Sequence, residues 1–329
     1  MRDYAKVYII IFNFATVKKG LIISACLLWV ILGFTFSKTP PRLTKASLGK
    51  MLFFDPILSE DSTVSCASCH KPEFAFADTS AFSKGVHGRL GTRNAPSAMN
   101  MSSRDAFFWD GRAATLEQQA LGPIENPVEM NLPIETALKR LNHNKRYRSL
   151  FFTVFKAYPN KQNLTAAIAA FERTLETSAT PNDRWLNDEP GGLTDQQVRG
   201  RDIFRVKAKC FECHFTPDFT ADEFRNIGLF NGKNHNDSGR YLITHNPADI
   251  GKMKVPGLRN VAMTAPYMHD GSFKTLRQVI DYYDNPHATM PDGINRDSVL
   301  SGPLHLTEQD KQDLEAFLNA LTDDRFIKK

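Results

Sequence analysis

Cysteine is scarce in this chain, with five in 329 residues, and four of the five fall into two tight clusters. A disulfide framework is thereby excluded. Neither sign of charge is in large excess. The formal net charge is +5, and the first 37 residues hold +3 of it through Arg2, Lys6, Lys18 and Lys19 against Asp3. The rest is close to neutral, which excludes an electrostatic nucleic-acid or lipid surface as the basis of function. Long apolar runs occur only near the start, at Val7–Phe14 and Gly20–Phe36. Convincing alternation of apolar and polar residues, the mark of a half-buried strand, is missing.

What is present begins with that leader. Lys18-Lys19 followed by the run Gly20–Phe36 reads as a signal segment over 1–37. The earlier run Val7–Phe14, upstream of the lysines, is unusual for one. It fits either a start nearer Val17 or an uncleaved membrane anchor, since about 17 apolar residues is the lower limit for a span. Ile23-Ser24-Ala25-Cys26 resembles a lipoprotein box, but the apolar run continues past Cys26, where a lipoprotein turns polar. A buried leader cysteine is the simpler reading.

The four clustered cysteines carry the chemistry. Cys66-Ala67-Ser68-Cys69-His70 and Cys210-Phe211-Glu212-Cys213-His214 both read C-x-x-C-H, the attachment signature of a c-type haem. Two thiols one helical turn apart meet the two vinyl groups of one porphyrin, and the adjacent imidazole reaches the iron. A zinc half-site needs four ligands, and no further cysteine pair exists. A redox dithiol has no need of histidine directly after the second cysteine, twice. The expectation is two covalently attached haems c.

The body then says similar things twice. Gly49-Lys50-Met51-Leu52-Phe53 is echoed by Gly200-Arg201-Asp202-Ile203-Phe204, Ala77-Asp78 by Ala221-Asp222, and Arg93-Asn94 by Arg259-Asn260. Trp109 through Gln118 aligns without gaps on His269 through Gln278, with Asp, Gly, Thr, Leu and Gln coincident. Thr115-x-x-Gln118 and Thr275-x-x-Gln278 both read as capping boxes opening a helix. Leu164, Ile168, Phe171 and Leu175 recur at helical spacing. Thr307 starts a last helix with Leu314, Phe317, Leu318 and Leu321 on one face. The stretch from Pro181 to Gly192 is rich in breakers. The expected fold is mainly α, with two tandem cytochrome c-like domains, 38–185 and 186–329, each around one haem. The 24 phenylalanines are accounted for as core and pocket walls.

The repeat also predicts a difference between its halves. Past Thr275, Leu276, Val279, Ile280 and Tyr283 share a helical face, and a phenolate at Tyr283 is a candidate axial ligand. The same offset in the first copy lands on Pro123, which cannot ligate iron. One haem is therefore expected to be closed and the other open to a small substrate. Gln119 lies one turn before Pro123, and Glu129 follows shortly after. A carboxylate over an open haem can move a proton between the two oxygens of a peroxide, which is general acid–base catalysis. Gln119 can hold the peroxide without titrating. Outside that setting Glu129 reads as a surface or capping acid, and Trp109 as a core aromatic. Its equivalence to His269 instead puts Trp109 near an interface between the haems.

These residues resemble the bacterial di-haem cytochrome c peroxidases and the related enzyme that matures methylamine dehydrogenase. The resemblance runs from about Lys45 to the C-terminus and rests on Ser65-Cys66-Ala67-Ser68-Cys69-His70, Gly91–Pro96, Phe108–Ala113, Pro127–Met130, Val255–Asn260 and Ala265–Gly271. It implies a peroxidatic haem on Cys66, Cys69 and His70, and an electron-entry haem on Cys210, Cys213 and His214. It implies that His87 is a removable distal ligand of the peroxidatic iron, although beside Gly85 and Gly88 a plain loop histidine is an alternative. Gln119, Pro123 and Glu129 match the distal pocket, and Trp109 the inter-haem tryptophan. A calcium ion between the haems would take Asn94 by its side chain and Thr264 and Pro266 by backbone carbonyls, oxygen ligands that suit calcium. His143, His235, His245, His287 and His305 match nothing and read as surface residues. The peroxidases usually carry methionine where Tyr283 stands. The maturation enzyme has tyrosine there but lacks the distal histidine, so this chain mixes both patterns. Met268 and Met290 are rival ligands to Tyr283.

Three functions follow as expectations. The first is reduction of hydrogen peroxide with electrons from a small c-type cytochrome or similar donor. The second is a peroxide-dependent oxidation of a partner protein. The third is electron transfer alone, against which Glu129 with Gln119 over an open site argues. Covalent haem implies a periplasmic or otherwise exported protein. The sequence leaves open a homodimer and anchoring through the leader.

Overall fold

The computed structural model describes residues 42–327, so the leader and its export reading lie outside the described residues. Residues 43–327 make one compact unit. The first half holds α1 (Lys45–Phe54), the single turn α2 (Cys66–Cys69), α3 (Leu116–Gln119), α4 (Leu121–Glu125), α5 (Ile134–His143), α6 (Lys145–Phe155) and α7 (Lys161–Glu172). The second holds α8 (Pro181–Leu186), α9 (Asp195–Arg205), α10 (Tyr241–Thr244), α11 (Leu276–Asp284), α12 (Pro286–Thr289) and α13 (Glu308–Asn319). No helix among the described residues is long and apolar enough to cross a membrane.

Each half is built on one helix crossing. In the first, α1 meets α7 at Gly49, where an added Cβ would fall 1.8 Å from the Ala167 carbonyl oxygen. In the second, α9 meets α13 at Gly200, where it would fall 1.9 Å from the Asp313 carbonyl oxygen. Only a residue without a side chain lets the backbones approach this far. One turn on, Phe53 packs edge-on against Phe171 and Phe76 with ring centroids 5.1 and 6.1 Å apart. Phe204 does the same with Phe317 and Phe219, at 5.3 and 6.0 Å. Phe53 and Phe204 are fully buried, each contributing about 1.5–3 kcal/mol of apolar transfer. The recurring Gly-x-x-x-Phe is thus the signature of a helix crossing that places an aromatic triad beside each haem motif.

Two turns repeat as closely. Asp110 Oδ1 accepts from the backbone N–H of Arg112, and Asp270 Oδ1 from that of Ser272. The glycine between sits at a positive φ, 68° at Gly111 and 64° at Gly271, a conformation that costs glycine little. Thr115 and Thr275 then cap α3 and α11. The box is complete only at Thr275. In the first copy Gln118 bonds the N–H of Ala114 instead. Beyond the caps the copies diverge. The second runs as one helix through Tyr283, while the first breaks after Gln119 into α3 and α4. Pro123 explains the break, since it has no N–H for the Gln119 carbonyl and its ring crowds that oxygen.

The structure amends the sequence reading in several places. Leu175 lies past the end of α7, although it is buried beside Phe53 and Phe171. Pro181 opens α8 at its first position under a Thr180 cap, so the breaker-rich stretch begins with a helix. A two-residue ribbon, β1 (Phe224–Arg225) with β2 (Met253–Lys254), is too short for alternation to reveal. The echo of Arg93-Asn94 in Arg259-Asn260 is not a structural one. The register that pairs Trp109 with His269 is a shift of 160 positions, and it pairs Asn260 with Asn100 and Asn94 with Lys254. Asn100 and Asn260 both adopt positive φ, and both donate to the Thr177 hydroxyl, at 2.9 and 2.8 Å.

Replacing Gly49 or Gly200 by alanine should force the crossing apart, at a cost of roughly 1–3 kcal/mol as overpacking. The thermal midpoint should fall for each variant. A wild-type midpoint in either would show that the crossing does not depend on the missing side chain.

Candidate functional site

Each C-x-x-C-H motif brings its histidine to the same arrangement. His70 Nδ1 lies 3.0 Å from the Phe76 carbonyl oxygen, and His214 Nδ1 lies 3.0 Å from that of Phe219. Both phenylalanines hold a left-handed backbone, φ 55° and 56°, which costs a bulky residue about 1–2 kcal/mol. A carbonyl that takes the Nδ1 proton fixes the tautomer and leaves Nε2 free to ligate a metal. Burial lowers the pKa of both imidazoles, favouring the neutral form that ligates. Burial pushes the Cys210 thiol up to about 12 and raises Cys66, Cys69 and Cys213 as well. A redox dithiol requires a depressed thiol, so that reading loses its support. Among the described residues, no three His, Cys, Asp or Glu side chains converge as a metal site, and the zinc reading has no ligand set.

Two cavities adjoin the motifs. The second, of about 230 Å³, is lined by Cys210, Cys213, His214, Met268 and Tyr283 within mostly apolar walls. The first, of about 130 Å³, takes in His70, Phe108, Gln119 and Glu172. At the second cavity, paired thiols and an oriented imidazole within apolar walls fit a covalently held porphyrin; at the first, His70 is the motif residue that lines the space. Tyr283 is screened from bulk water yet keeps open surface because it faces the cavity. Burial and the nearby Tyr282 and cysteine side chains push its phenol well above the ordinary range. Met268 lines the same space. Met290 is packed into a neighbouring cluster with Leu229 and Tyr282.

Trp109 lines both cavities. Its indole Nε1 donates to the Asn94 carbonyl oxygen at 2.8 Å, and its ring stands edge-on to His269 with centroids 6.4 Å apart. Two backbone bonds cross beside it. The N–H of Asn94 donates to the carbonyl of His269 at 2.7 Å, and the N–H of Lys254 donates to the carbonyl of Trp109 at 2.8 Å. Under the 160-position shift each bond maps onto the other, so the halves meet about a local pseudo-twofold axis. Arg93 clamps the joint, donating to Asp110 at 2.6 Å and to both oxygens of Asp237 at 2.6 and 2.8 Å. Asn94, Thr264 and Pro266 line the same cavity. The Asn94 amide nitrogen donates to the Ser80 carbonyl, and the Thr264 and Pro266 carbonyls accept no hydrogen bond among the described residues.

The distal segment folds back on itself. The Met130 N–H donates to the Pro123 carbonyl at 3.1 Å, drawing the turn that carries Glu129 onto α4. Glu129 Oε1 accepts from Asn126 at 2.6 Å. Burial raises the Glu129 carboxyl above 4.5, with the Asn126 bond and the Arg112 charge opposing. The loop bearing His87 is pinned here, since the Val86 N–H donates to the Glu129 carbonyl at 2.8 Å. The His87 ring points elsewhere. It is half exposed, with Nε2 3.0 Å from Glu60 Oε2, which also accepts from Asn131 at 2.6 Å. One cavity residue escaped the sequence reading. Glu172 is buried on α7 where Leu318 stands on α13, and the pair Phe171-Glu172 against Phe317-Leu318 was the signal available.

Two cytochrome-like sites sharing one wall define a two-centre electron-transfer class. The comparisons place it further. The profile of the di-haem cytochrome c peroxidase family matches residues 43–191. The chain is 38% identical over 285 residues to the methylamine utilization protein MauG of Methylorubrum extorquens, covering 84% of this chain and 78% of that one. It is 39% identical over 246 residues to the cytochrome c551 peroxidase of Nitrosomonas europaea, covering 74% and 73%. The crystal structure of a MauG-like protein associated with microbial copper homeostasis superposes with a TM-score of 0.78 at 32% identity, covering 88% of this chain and 95% of that one. The chain belongs to the di-haem cytochrome c peroxidase family.

If Tyr283 binds iron in the second cavity, the ferric protein should lack a methionine-to-iron charge-transfer band in the near infrared, and Tyr283→Phe should change the spectrum of one haem only. A methionine band in the wild type that survives Tyr283→Phe would reject tyrosine ligation and leave a methionine, Met268 or Met290, as the ligand.

Proposed function

We propose that this protein reduces hydrogen peroxide to water with electrons from a small c-type cytochrome or similar donor, using two covalently held haems c. One observation carries the reading: two cavities, each with an oriented motif imidazole, share the wall of Trp109, and a tyrosine faces only the second. Cys66, Cys69 and His70 would hold one haem, and Cys210, Cys213, His214 and Tyr283 the other. Haem iron, when bound, supplies one-electron chemistry and a site where the peroxide O–O bond is reduced. Overall, peroxide, two electrons and two protons give two waters.

The chain's residues do the rest. Gln119, which does not titrate, orients the peroxide by hydrogen bonding. Glu129 takes the proton from the near oxygen and delivers it to the far one, so that water leaves. Its raised pKa serves the second half of that task. Trp109, fixed by its bond to Asn94, bridges the two cavities for electrons. His87 is a gate: bound to Glu60 it leaves the first site free, and turned inward it would cap it. Asn94, Thr264 and Pro266 would hold a calcium ion beside the joint, where unengaged carbonyls offer hard oxygen donors. The leader exports the chain to the periplasm.

A second reading, peroxide-dependent oxidation of a partner protein, is favoured by Tyr283. An anionic oxygen ligand lowers the potential of its haem relative to methionine. Such a centre accepts electrons less readily and stores oxidising equivalents better.

Glu129→Gln should keep both haems and cut peroxide turnover with reduced cytochrome c about a hundredfold or more. Protonation disables a base, so wild-type activity should fall on the acid side at a pH above 4.5, and the Gln variant should lose that limb. Near-native turnover in the variant would remove Glu129 from the mechanism. The same assay before and after partial reduction reports the His87 gate. Chelation with verified metal removal should lower activity and perturb the haem spectrum, and an unchanged spectrum and rate would discard the calcium site.

A further inference from the structure

One buried carboxyl takes no part in these steps. Glu172 ends α7 with 6% of its surface exposed, and it lines the first cavity with His70 and Gln119. Its Oε2 has no hydrogen-bond partner among the described residues. Among the described residues no side-chain cation forms an ion pair with it, and the buried Arg104 Nη2 in the same cavity wall makes no hydrogen bond. Arg173, the next residue, is engaged by both carboxylate oxygens of Glu117 at 2.7 and 3.0 Å. Across the cavity, Arg104, Lys254 and Arg259 are paired with Asp218, Asp222 and Asp183. The Cys66 thiol nearby would be consumed by haem attachment. Burial therefore raises the Glu172 carboxyl to about 8, with Arg173 opposing and Glu117 adding to the rise.

The repeat supplies a control. Phe171 and Phe317 pack in the same way on Phe53 and Phe204. The residue after each faces its cavity, and in the second half that residue is Leu318. A proton-binding group thus occupies one of two otherwise matched positions, at the site where peroxide would be reduced.

We propose that Glu172 couples proton uptake to reduction of the N-terminal haem. This rests on the two-haem reading above. When the donor delivers an electron to that iron, the ionised fraction of Glu172 takes up protons from solvent, carboxylate becoming carboxylic acid, up to one proton per electron; oxidation releases both. An electron added to a poorly solvated cavity raises the proton affinity of a carboxylate facing it, and a bound proton favours the electron by the same factor. The uptake is partial where Glu172 is already protonated in the oxidised state and grows as pH rises through its oxidised-state pKa. Glu172 also keeps a proton next to a reaction that consumes two.

The test uses the holoprotein, with haem counted first by its pyridine haemochrome. Spectroelectrochemical titrations of wild type, Glu172→Gln and Glu172→Leu are run across roughly pH 6 to 10. The wild-type N-terminal potential should fall with pH, and the slope should be lost in both variants while the C-terminal potential is unchanged. The reduced-minus-oxidised infrared spectrum should show a protonated-carboxyl band that Glu172→Gln removes. Glutamine keeps the shape and leucine copies the second half, so either variant alone suffices. A flat wild-type potential, or the same slope in a folded variant, overturns the coupling. A wild type without two haems overturns the reading beneath it, whereas two haems with a flat potential overturn the role of Glu172 alone.

Discussion

Two backbone hydrogen bonds, Asn94 N–H to the His269 carbonyl and Lys254 N–H to the Trp109 carbonyl, hold the halves of this protein together where function needs them joined. Each is modest, about 0.5–1.5 kcal/mol net. Their importance is geometric. They fix the register between two repeats that otherwise carry separate helix crossings, aromatic triads and motif histidines. With that register set, Trp109 falls into the wall of both cavities, and Asn94, Thr264 and Pro266 line the second. The Arg93 clamp to Asp110 and Asp237 reinforces the same joint with charge-assisted bonds.

Against this symmetric frame, the chemistry lies in the departures. Pro123 against Tyr283 breaks one helix and leaves the other continuous with a phenol in its cavity. Glu172 against Leu318 puts a proton-binding group beside one motif and methyl groups beside the other. Trp109 against His269 makes the joint itself unequal. Glu172 against Leu318 and Trp109 against His269 change a side chain on a matched backbone, whereas Pro123 against Tyr283 changes the helix itself.

Much of this was legible in the sequence because it is local. The C-x-x-C-H motifs, the Asp-Gly turns, the Thr caps and the Gly-x-x-x-Phe pattern all depend on residues a few positions apart. The contrast of Pro123 with Tyr283 followed from one gapless alignment. What escaped is non-local. The pairing of Asn260 with Asn100 depends on Thr177, far from both in sequence. The bond of His87 to Glu60 crosses 27 positions. Glu172 sits on an apolar helical face where the periodicity of Leu164, Ile168 and Phe171 invited only a core reading. Its role is visible only once the cavity and its paired cations are in place.

The proposed function requires one open and one closed iron site. Cyanide titration of the ferric holoprotein, followed by electron paramagnetic resonance, tests it most directly. One cyanide per chain is expected, with the signal of the His214 haem unchanged as the other converts. Binding of two cyanides, or conversion of the His214 haem first, would contradict it.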